Sequence, residues 1–377
     1  MQQFKNLEAA MLRAISLAER GVGHVEPNPC VGAVVVDDEL RLLGEGWHQQ
    51  FGGPHAEVNA IADLRRRSTE TSKVATGQGA TLVCTLEPCA HHGKTPPCVD
   101  AVIAAGFRRV VIAVTDPAPH VDGRGIAKLR EAGIEVSVGL CAESASRLIA
   151  PFVTLMLENR PYVHAKWAMS LDGRIATRTG ASQWISSEES RLQAHKLRGR
   201  MDAILVGIGT ALADNPLLTA RPPGPRTPLR IVVDTHGRLP LDAQLVCTAK
   251  QVPLLVVCVD PTPTFQNQIQ SAGGEVLTLP ADSETGRVDI ALLMQELGRR
   301  RLTNLLIEGG GHILGSFHDR DLIDEYHIDI APKVLGGKAA LSPLLGMGHA
   351  MVPPSLEVIE TTTINGDTHI HARPPRR

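Results

Sequence analysis

One histidine, one glutamate and two cysteines in the first third of the chain have the spacing of a catalytic metal site. His55-Ala-Glu57 opens a segment of helical pattern, Cys89 follows a strand-like run, and Cys98 stands at the start of the next predicted helix. One imidazole and two thiolates supply three zinc ligands and leave the fourth position open, which is the catalytic rather than the structural pattern. The positive ends of helix dipoles beside the cysteines favour thiolate over thiol.

Glu57 lies two residues beyond the histidine and can reach a water at the metal without itself being a ligand. Zinc lowers the pKa of its water toward neutrality. Glu57 can then take a proton from that water and deliver protons to a ring nitrogen and to leaving ammonia. The pattern H-x-E followed by P-C and a second cysteine is typical of zinc deaminases. A closed site with His91 or His92 as fourth ligand is the alternative, and it would leave Glu57 without a task.

The two cysteines are separated by the segment 90–97 instead of the short spacing of that signature, and the segment carries cationic and donor groups. The motifs that surround these residues resemble the bifunctional deaminase/reductase family of riboflavin biosynthesis. They are His55-Ala-Glu57, Thr85-Leu-Glu-Pro-Cys89, His91-His-Gly-Lys-Thr-Pro-Pro-Cys98 and Pro27-Asn-Pro29. In one respect the chain departs from the family pattern, because Ala118 stands where an asparagine is expected.

The resemblance implies one Zn²⁺ per chain, held by His55, Cys89 and Cys98, with Glu57 as the proton shuttle. It implies deaminase substrate contacts at Asn28, His48, His91 and Lys94, the last two near a phosphate. The substrates would be small phosphorylated pyrimidines: a diaminopyrimidinone ribosylamino phosphate loses an amino group, and the ribosyl chain of the product is then reduced to a ribityl chain.

In the second half, a strand-like run enters the turn Gly309-Gly-Gly311 and then a helical segment. Glycines there let backbone N–H groups approach an anion at a helix N-terminus. A plain flexible turn is the alternative. The other glycine-rich segment, Gly207-Ile-Gly209, lacks a third glycine and is only a weak dinucleotide-binding signal.

The second half resembles the reductase part of the same family in the segments 166–174, 182–185, 210–219 and 331–333. The resemblance implies a dihydrofolate-reductase-like fold and NADPH as cofactor. Cofactor contacts would be Ala168, Trp184, Thr210, Asp214, Thr235, Gly310, Gly311, His312, Ile313, Leu314, Gly315 and Ser316. Reductase substrate contacts would be Ser182, Arg198, Leu218, Arg221 and Glu308, and proton handling would fall to Lys166, Asp214 or Glu308. Guanidinium groups such as those of Arg198 and Arg221 suit a ribose phosphate, although either arginine alone is more often a surface residue.

The elements that position these residues alternate between strand and helix, which predicts α/β layers in both halves. A first helix is predicted from Leu7 to a stop at Gly21, and further helices are predicted at 56–67, 98–105, 125–132, 145–160 and 188–200. Strands are predicted at 31–36, 80–85, 109–114, 134–138, 162–168, 203–206, 230–234, 253–259 and 304–308. With the resemblance, the fold is expected to be an N-terminal cytidine-deaminase-like three-layer α/β/α domain plus a C-terminal dihydrofolate-reductase-like α/β domain. The predicted limits are 1–145 for the deaminase, 146–160 for a connecting helix and 161–372 for the reductase.

Composition narrows the function further. At 377 residues the chain is long enough for two domains, and its net charge of -2 with 3% aromatics argues against nucleic-acid binding. A deaminase of nucleic-acid bases would need a short cysteine spacing, a basic face and stacking aromatics. The arginine runs 65–67 and 299–301 each end an apolar-periodic stretch, so solvated helix termini are favoured over a polyanion site. A zinc-stapled binding protein with a degenerate reductase half would have lost Glu57 or the glycine turn.

Seven scattered cysteines and a charged, amphipathic start are unlike a secreted disulfide protein, so we expect a cytoplasmic location. No run approaches the roughly 18 apolar residues of a membrane span, so no membrane partner is expected. The family suggests a homo-oligomer.

Overall fold

Alternating strands and helices build two units, which divide after Asn159. The structure, a computed structural model, describes residues 2–68, 77–92, 96–117 and 123–375. The first unit contains α1 (Leu7–Ala18), a 3₁₀ turn (Glu19–Gly21), β1 (Gly32–Val36), β2 (Leu42–Trp47), α2 (Ala56–Arg67), β3 (Thr81–Leu86), α3 (Cys98–Ala105), β4 (Arg109–Val114), α4 (Arg124–Glu131), β5 (Glu135–Val138) and α5 (Ala142–Glu158). Its five-stranded sheet has the order β2-β1-β3-β4-β5, with β3, β4 and β5 parallel and β1 antiparallel to both of its neighbours.

The first sheet is buried on both faces. Along β1, Ala33 and Val35 pack into the core under α2, α3 and α4, while Val34 and Val36 pack against α1. This alternation follows from the two-residue period of a strand and makes the unit a three-layer α/β/α structure. The layers place the N-termini of α2 and α3 beside the carboxyl end of β3, where the candidate metal ligands stand.

The second unit has a nine-stranded sheet of order β10-β9-β8-β7-β11-β6-β12-β14-β13. All neighbours are parallel except the last two pairs, β12–β14 and β14–β13. Its elements are β6 (Tyr162–Ser170), α6 (Glu188–Arg198), β7 (Ala203–Gly207), α7 (Ile208–Asp214), β8 (Leu229–Val233), α8 (Gln244–Cys247), β9 (Leu254–Cys258), α9 (Pro263–Ser271), β10 (Glu275–Thr278), α10 (Ile290–Arg299), β11 (Asn304–Glu308), α11 (Gly311–His318), β12 (Glu325–Ala331), β13 (Glu357–Ile364) and β14 (Asp367–Arg373).

Helices cover both faces of the central strands of this second sheet. Leu305 and Ile307 of β11 lie in the core with α10 and α11, and Leu306 lies in the core on the opposite face with α6 to α9. The residue of β6 beside Leu306 is His164. On this face of the sheet, the side chains are mainly apolar up to Leu306 of β11 and become mainly polar from His164 of β6 onward, across β12 and β14.

The α/β prediction is confirmed, and the predicted helices 56–67 and 98–105 and strands 109–114 and 304–308 match the structure at both ends. Strands β2, β10, β12, β13 and β14 were not predicted. They are short, or they alternate polar with apolar residues, and β12 and β14 carry histidines and carboxylates. In the described part of the chain, no helix is long and apolar enough to cross a membrane.

The segment 146–160, predicted as a connection, lies mostly within α5, whose Ala145 and Ile149 are buried in the first unit. The domain limits 1–145 and 161–372 stay predictions. The arginine runs do end helices: Arg65–Arg67 close α2, and Arg299 closes α10. Arg66 and Arg67 pair with Asp63 of their own helix.

Candidate active sites

His55, Cys89 and Cys98 come together at one point of the first unit. His55 is the N-cap residue of α2, Cys89 follows β3, and Cys98 is the first residue of α3. His55 Nδ1 lies 3.6 Å from Cys89 Sγ and 3.2 Å from Cys98 Sγ, and all three atoms lie within 4.8 Å of one another. Cys98 N also donates to Cys89 Sγ over 3.3 Å, so the start of α3 stabilises negative charge on that sulfur.

The donor set fits a tetrahedral zinc ion. At ordinary Zn–N and Zn–S bond lengths, a nitrogen and a sulfur ligand stand about 3.6 Å apart. The hydrogen bond between the two cysteines lowers the pKa of Cys89 to about 4, and the same bond together with burial raises the pKa of Cys98. A divalent cation would let both sulfurs be thiolates, which zinc ligation requires. Within the described residues, neither His91 nor His92 belongs to this group of ligand atoms, and both are exposed.

Glu57 lies in the first turn of α2, beside the metal-ligand group. Its side chain is 3% exposed, and its Oε2 has no hydrogen-bond partner among the residues that the structure describes. Burial raises the pKa of Glu57 to about 7, and the Cys98 thiol is one of its hydrogen-bond neighbours. A buried carboxylate oxygen left open beside three metal ligands is suited to hold a water or a proton.

Asn28 and His48 form a chain of hydrogen bonds near these ligands. His48 Nδ1 donates to the Pro54 carbonyl oxygen over 3.0 Å, so its Nε2 accepts from Asn28 Nδ2 at 3.1 Å. His48 is 2% exposed, and burial lowers its pKa, which keeps the ring neutral. Both ring nitrogens are thus engaged, and the structure gives His48 the geometry of a residue that orients Asn28. The predicted contact Lys94 and the departing residue Ala118 lie outside the described residues.

Glu87 lies in the motif that ends at Cys89, and the sequence predicts no role for it. Its carboxylate is 3% exposed and accepts four backbone N–H groups. The donors are Asp116 (3.2 Å), Gly123 (3.2 Å), Gly125 (2.8 Å) and Ile126 (3.2 Å). A Cβ on Gly125 would meet the Pro88 carbonyl oxygen at 2.2 Å, so glycine is required for this close approach. Glu87 therefore anchors the start of α4 to the strand that delivers Cys89.

A cleft of about 1220 Å³ opens in the second unit. Most of the predicted cofactor contacts line it: Ala168, Trp184, Thr210, Asp214, Thr235, Gly310, Gly311, His312, Ile313 and Ser316. Leu314 and Gly315 do not. Leu314 lies on the inner face of α11 and is fully buried, and a Cβ on Gly315 would meet the Gly346 backbone nitrogen at 2.4 Å. The helical period thus turns these two residues away from the cleft.

The glycine turn lies at the N-terminus of α11. Gly309 and Gly310 have φ of 64° and 73°, a conformation that favours glycine, and Gly310 is the N-cap residue. A Cβ on Gly310 would meet Thr210 Oγ1 at 2.8 Å, and a Cβ on Gly311 would meet the Ser342 carbonyl oxygen at 2.4 Å. The turn therefore presents bare backbone to the cleft, beside the α7 residue Thr210.

The five predicted reductase substrate contacts, Ser182, Arg198, Leu218, Arg221 and Glu308, also line the cleft. Two of them pair with each other: Arg198 Nε lies 2.9 Å from Glu308 Oε1, and Nη2 lies 2.6 Å from Oε2. Burial raises the pKa of Glu308, but attraction by Arg198 outweighs that effect and the net pKa is lowered. The Arg198 guanidinium is thus largely occupied by a carboxylate.

Arg221 is the more open of the two arginines. It is exposed, and the contacts of its guanidinium are with neutral groups, Thr219 Oγ1 at 2.9 Å and His195 Nε2 at 3.4 Å. His195, which no sequence argument singled out, donates from Nδ1 to the Thr219 carbonyl oxygen. Burial and the charges of the two arginines lower the pKa of His195, so its Nε2 is an acceptor facing Arg221.

The three candidates for proton handling have different partners. Lys166 Nζ lies 3.0 Å from Asp329 Oδ2, Glu308 is held by Arg198, and Asp214 Oδ1 accepts from Ser182 Oγ at 3.5 Å. All three candidates line the cleft.

Comparison with known proteins covers both units. Residues 161–370 match the family model of the RibD C-terminal domain, and residues 4–114 match the zinc-binding region of cytidine and deoxycytidylate deaminases. The chain is 40% identical to the riboflavin biosynthesis protein RibD of Actinobacillus pleuropneumoniae, over 95% of this chain and 92% of the relative. It is 38% identical to RibD of Escherichia coli, over 97% and 98%.

Solved structures show the same similarity. RibD of Acinetobacter baumannii superposes with a TM-score of 0.84 at 32% identity, covering 98% of this chain and 99% of that one. A Thermotoga maritima protein described as a diaminohydroxyphosphoribosylaminopyrimidine deaminase/5-amino-6-(5-phosphoribosylamino)uracil reductase superposes with a TM-score of 0.82 at 35% identity, covering 98% of both chains. The predicted deaminase-like and reductase-like folds are thereby confirmed.

Proposed function

The chain belongs to the RibD family of bifunctional riboflavin biosynthesis enzymes, with a zinc-binding deaminase domain and a reductase domain, and we propose which reactions its residues carry out. The first unit deaminates 2,5-diamino-6-ribosylamino-4(3H)-pyrimidinone 5′-phosphate. The second reduces the ribosyl chain of the product, giving 5-amino-6-ribitylamino-uracil 5′-phosphate. The observation that carries the deaminase assignment is the open, buried Glu57 oxygen beside His55, Cys89 and Cys98.

In the deaminase unit, His55, Cys89 and Cys98 would hold one zinc ion. Zinc bound there would supply a water of lowered pKa as the nucleophile for the ring carbon that bears the amino group. Glu57 takes the proton of the attacking water and returns protons to the ring nitrogen and the departing ammonia. Asn28, held by His48, is positioned to contact the pyrimidine.

In the reductase unit, we assign NADPH to the side of the cleft that holds the glycine turn. The bare N–H groups at the start of α11 and the positive end of its dipole suit a cofactor phosphate. NADPH bound there would supply a hydride to the sugar carbon, and the chain's task is to align the two reactants. Arg221, which has an exposed guanidinium, is the better candidate for the substrate phosphate.

The accompanying proton is best assigned to Lys166. Its ammonium group carries transferable hydrogens, lines the cleft and is fixed by Asp329. Glu308 is less suited as a donor, because Arg198 keeps its pKa low and the carboxylate unprotonated at neutral pH. Asp214 is exposed and belongs to the cofactor side of the cleft.

Incubation of the zinc-loaded protein with the diaminopyrimidinone phosphate, with and without NADPH, tests the proposed order. We expect ammonia release in both mixtures and NADPH oxidation only after deamination. NADPH oxidation that precedes any ammonia release would contradict this order.

A homo-oligomer and a cytoplasmic location stay predictions. Light scattering by the purified protein tests the first prediction, and fractionation of the cells that make it tests the second.

A further inference from the structure

A cluster of three histidines and one glutamate lies in the second unit, on the polar face where β6, β12 and β14 meet. Glu325 of β12 is directly beside His164 of β6, and His327 of β12 is directly beside His371 of β14. These positions share one face because side chains two residues apart point to the same side of a strand. His164 and His327 are 8% and 9% exposed. Neither the deaminase nor the reductase chemistry described above uses this cluster.

Three atoms of the cluster have the spacing of metal ligands. His164 Nδ1 lies 3.3 Å from His327 Nε2 and 3.3 Å from Glu325 Oε2, and His327 Nε2 lies 3.6 Å from the same oxygen. Nitrogen and oxygen ligands of a tetrahedral zinc ion, at about 2.0–2.2 Å from the metal, stand about 3.3–3.5 Å apart. Two imidazoles and one glutamate are also a known zinc donor set.

The surroundings of His164 favour the tautomer that a metal needs. The side-chain amide of Asn304 faces His164 with its oxygen, and an amide oxygen can only accept a hydrogen bond. That oxygen lies 3.2 Å from His164 Nε2 and accepts its hydrogen. The lone pair of His164 Nδ1 is then directed to Glu325 and His327. In a metal-bound histidine, the ring nitrogen that does not bind the metal usually donates its hydrogen to a carbonyl or carboxylate oxygen, which fixes the orientation of the ring.

The carboxylate of Glu325 is held as well. The Tyr162 hydroxyl donates to Oε1 over 3.1 Å, and His371 Nε2 lies 2.9 Å from Oε2. The His371 ring also stacks on His327, with ring centroids 4.4 Å apart and planes 18° apart. Glu325 Oε2 has two lone pairs, so it can accept a hydrogen bond from His371 with one and bind a cation with the other. Without a cation or an extra proton, the His164 lone pair and an anionic oxygen would face each other at 3.3 Å.

We propose that His164, Glu325 and His327 form a binding site for a divalent transition-metal ion, with zinc as the reference ion. The site is separate from the thiolate site of the first unit and does not depend on it. A metal bound there would link β6 to β12, and the hydrogen bond between His371 and Glu325 would connect β14 to the same site. The two ligand sites also differ in chemistry, since one has sulfur ligands and the other only nitrogen and oxygen.

Metal content of the full chain with both thiolate ligands replaced, Cys89→Ser and Cys98→Ser, tests the proposal directly. After loading with Zn²⁺ and removal of free metal, this variant is expected to keep one zinc per chain. A further His327→Gln change should remove that zinc, whereas His369→Gln is the matched control. His369 lies on the same face of β14, bonded to Asp329, and its replacement should leave the zinc in place.

Two further readouts keep the outcome decisive if a variant folds poorly. Co²⁺ bound to the double-cysteine variant should show ligand-field bands without a thiolate charge-transfer band, because only nitrogen and oxygen ligands remain. Added Zn²⁺ should raise the Tm of that variant in a concentration-dependent manner. A double-cysteine variant that binds no metal, or a His327→Gln form that keeps its full zinc content, would overturn the proposal. The first result would mean that a proton, not a metal, holds the cluster together.

Discussion

At the scale of single residues, the chemistry of this chain depends on which buried charges have partners. Glu57 has an oxygen without a partner in the described structure, while Glu308 and Arg198 satisfy each other. A buried carboxylate without a partner is costly, so it persists where a water, metal or substrate completes it. The buried ion pair of Arg198 and Glu308, by contrast, stabilises the fold first. Only those atoms of the two side chains that remain exposed could contact a substrate.

Glu57→Gln is expected to lower ammonia release by at least about 100-fold, since an amide cannot take up the proton of water. The ligand atoms are untouched, so zinc content should be unchanged. NADPH oxidation with the already deaminated intermediate should also be unchanged. Loss of zinc, or an equal loss of both activities, would show that Glu57 holds the structure instead of moving protons.

Arg198→Ala is expected to destabilise the second unit by about 3 kcal/mol at neutral pH, because it leaves Glu308 buried and unpaired. Arg221→Ala is the matched control: it removes an exposed arginine of the same cleft, so it should change the free energy of unfolding by less than about 0.5 kcal/mol. Urea unfolding at pH 7 measures both. Equal losses would contradict the pairing as the source of stability.

The free energy of unfolding of Arg198→Ala, relative to the wild type, has a defined pH dependence. In the wild type the pKa of Glu308 is lowered, so its stabilising effect is present above the unfolded pKa and is lost as pH falls through the folded pKa. In Arg198→Ala the main effect that opposes burial is lost, so the pKa of Glu308 rises, and the cost of the buried charge is relieved as pH falls through the raised value. The stability difference between wild type and variant should therefore narrow from pH 7 to pH 5.

At the scale of elements, strand ends and helix starts place both sites. Glu87 connects the end of β3 to the start of α4, and the glycine turn connects β11 to α11. In each case backbone N–H groups at a helix start meet an anion, an internal carboxylate in the first and a proposed cofactor phosphate in the second.

Glu87→Gln is expected to destabilise the first unit by roughly 2–4 kcal/mol, because an amide group would place hydrogens against two of the four donors. Glu131→Gln, at the exposed end of α4, is the matched control and should change the free energy of unfolding little. Thermal unfolding followed by circular dichroism measures both. If the two variants unfolded alike, Glu87 would not be the anchor of α4.

Gly310→Ala is expected to weaken NADPH binding at least about tenfold, since the new Cβ would meet Thr210 and strain a backbone with φ of 73°. Gly366→Ala is the control: its backbone also has a positive φ, of 88°, but Gly366 does not line the cleft and no atom lies within 4 Å of the added Cβ. Fluorescence titration with NADPH measures the dissociation constants. Equal affinities in the two variants would remove the glycine turn from the cofactor site.

At the scale of the whole molecule, each of the four hydrophobic clusters found among the described residues belongs to a single unit. The units therefore have cores of their own. We expect the fragments 1–159 and 160–377 to fold separately, and the first to release ammonia and hold zinc without the second. Circular dichroism and the ammonia assay on each fragment test this. A first fragment that fails to fold would show that its stability depends on the rest of the chain.

The features that depend on neighbours along the chain can be predicted from the sequence. The motifs around His55, Cys89 and Cys98 predict the candidate metal ligands, and hydrophobic periodicity predicts the helices and strands that carry them. The resemblance also named reductase residues, and all of them except Leu314 and Gly315 line the cleft. The pattern did not predict β12 and β14, where polar side chains of the two strands contact each other and β6.

Which polar side chains meet depends on the tertiary structure. Arg198 and Glu308 are 110 positions apart, and His164 and His327 are 163 apart, so no local pattern joins them. Nothing in the spacing of His48 shows that both of its nitrogens are already engaged. Burial removes water as a partner, and the partner that replaces it is supplied by another strand or loop. That replacement is a property of the folded chain, and it decides whether a histidine or a carboxylate is free to bind a ligand.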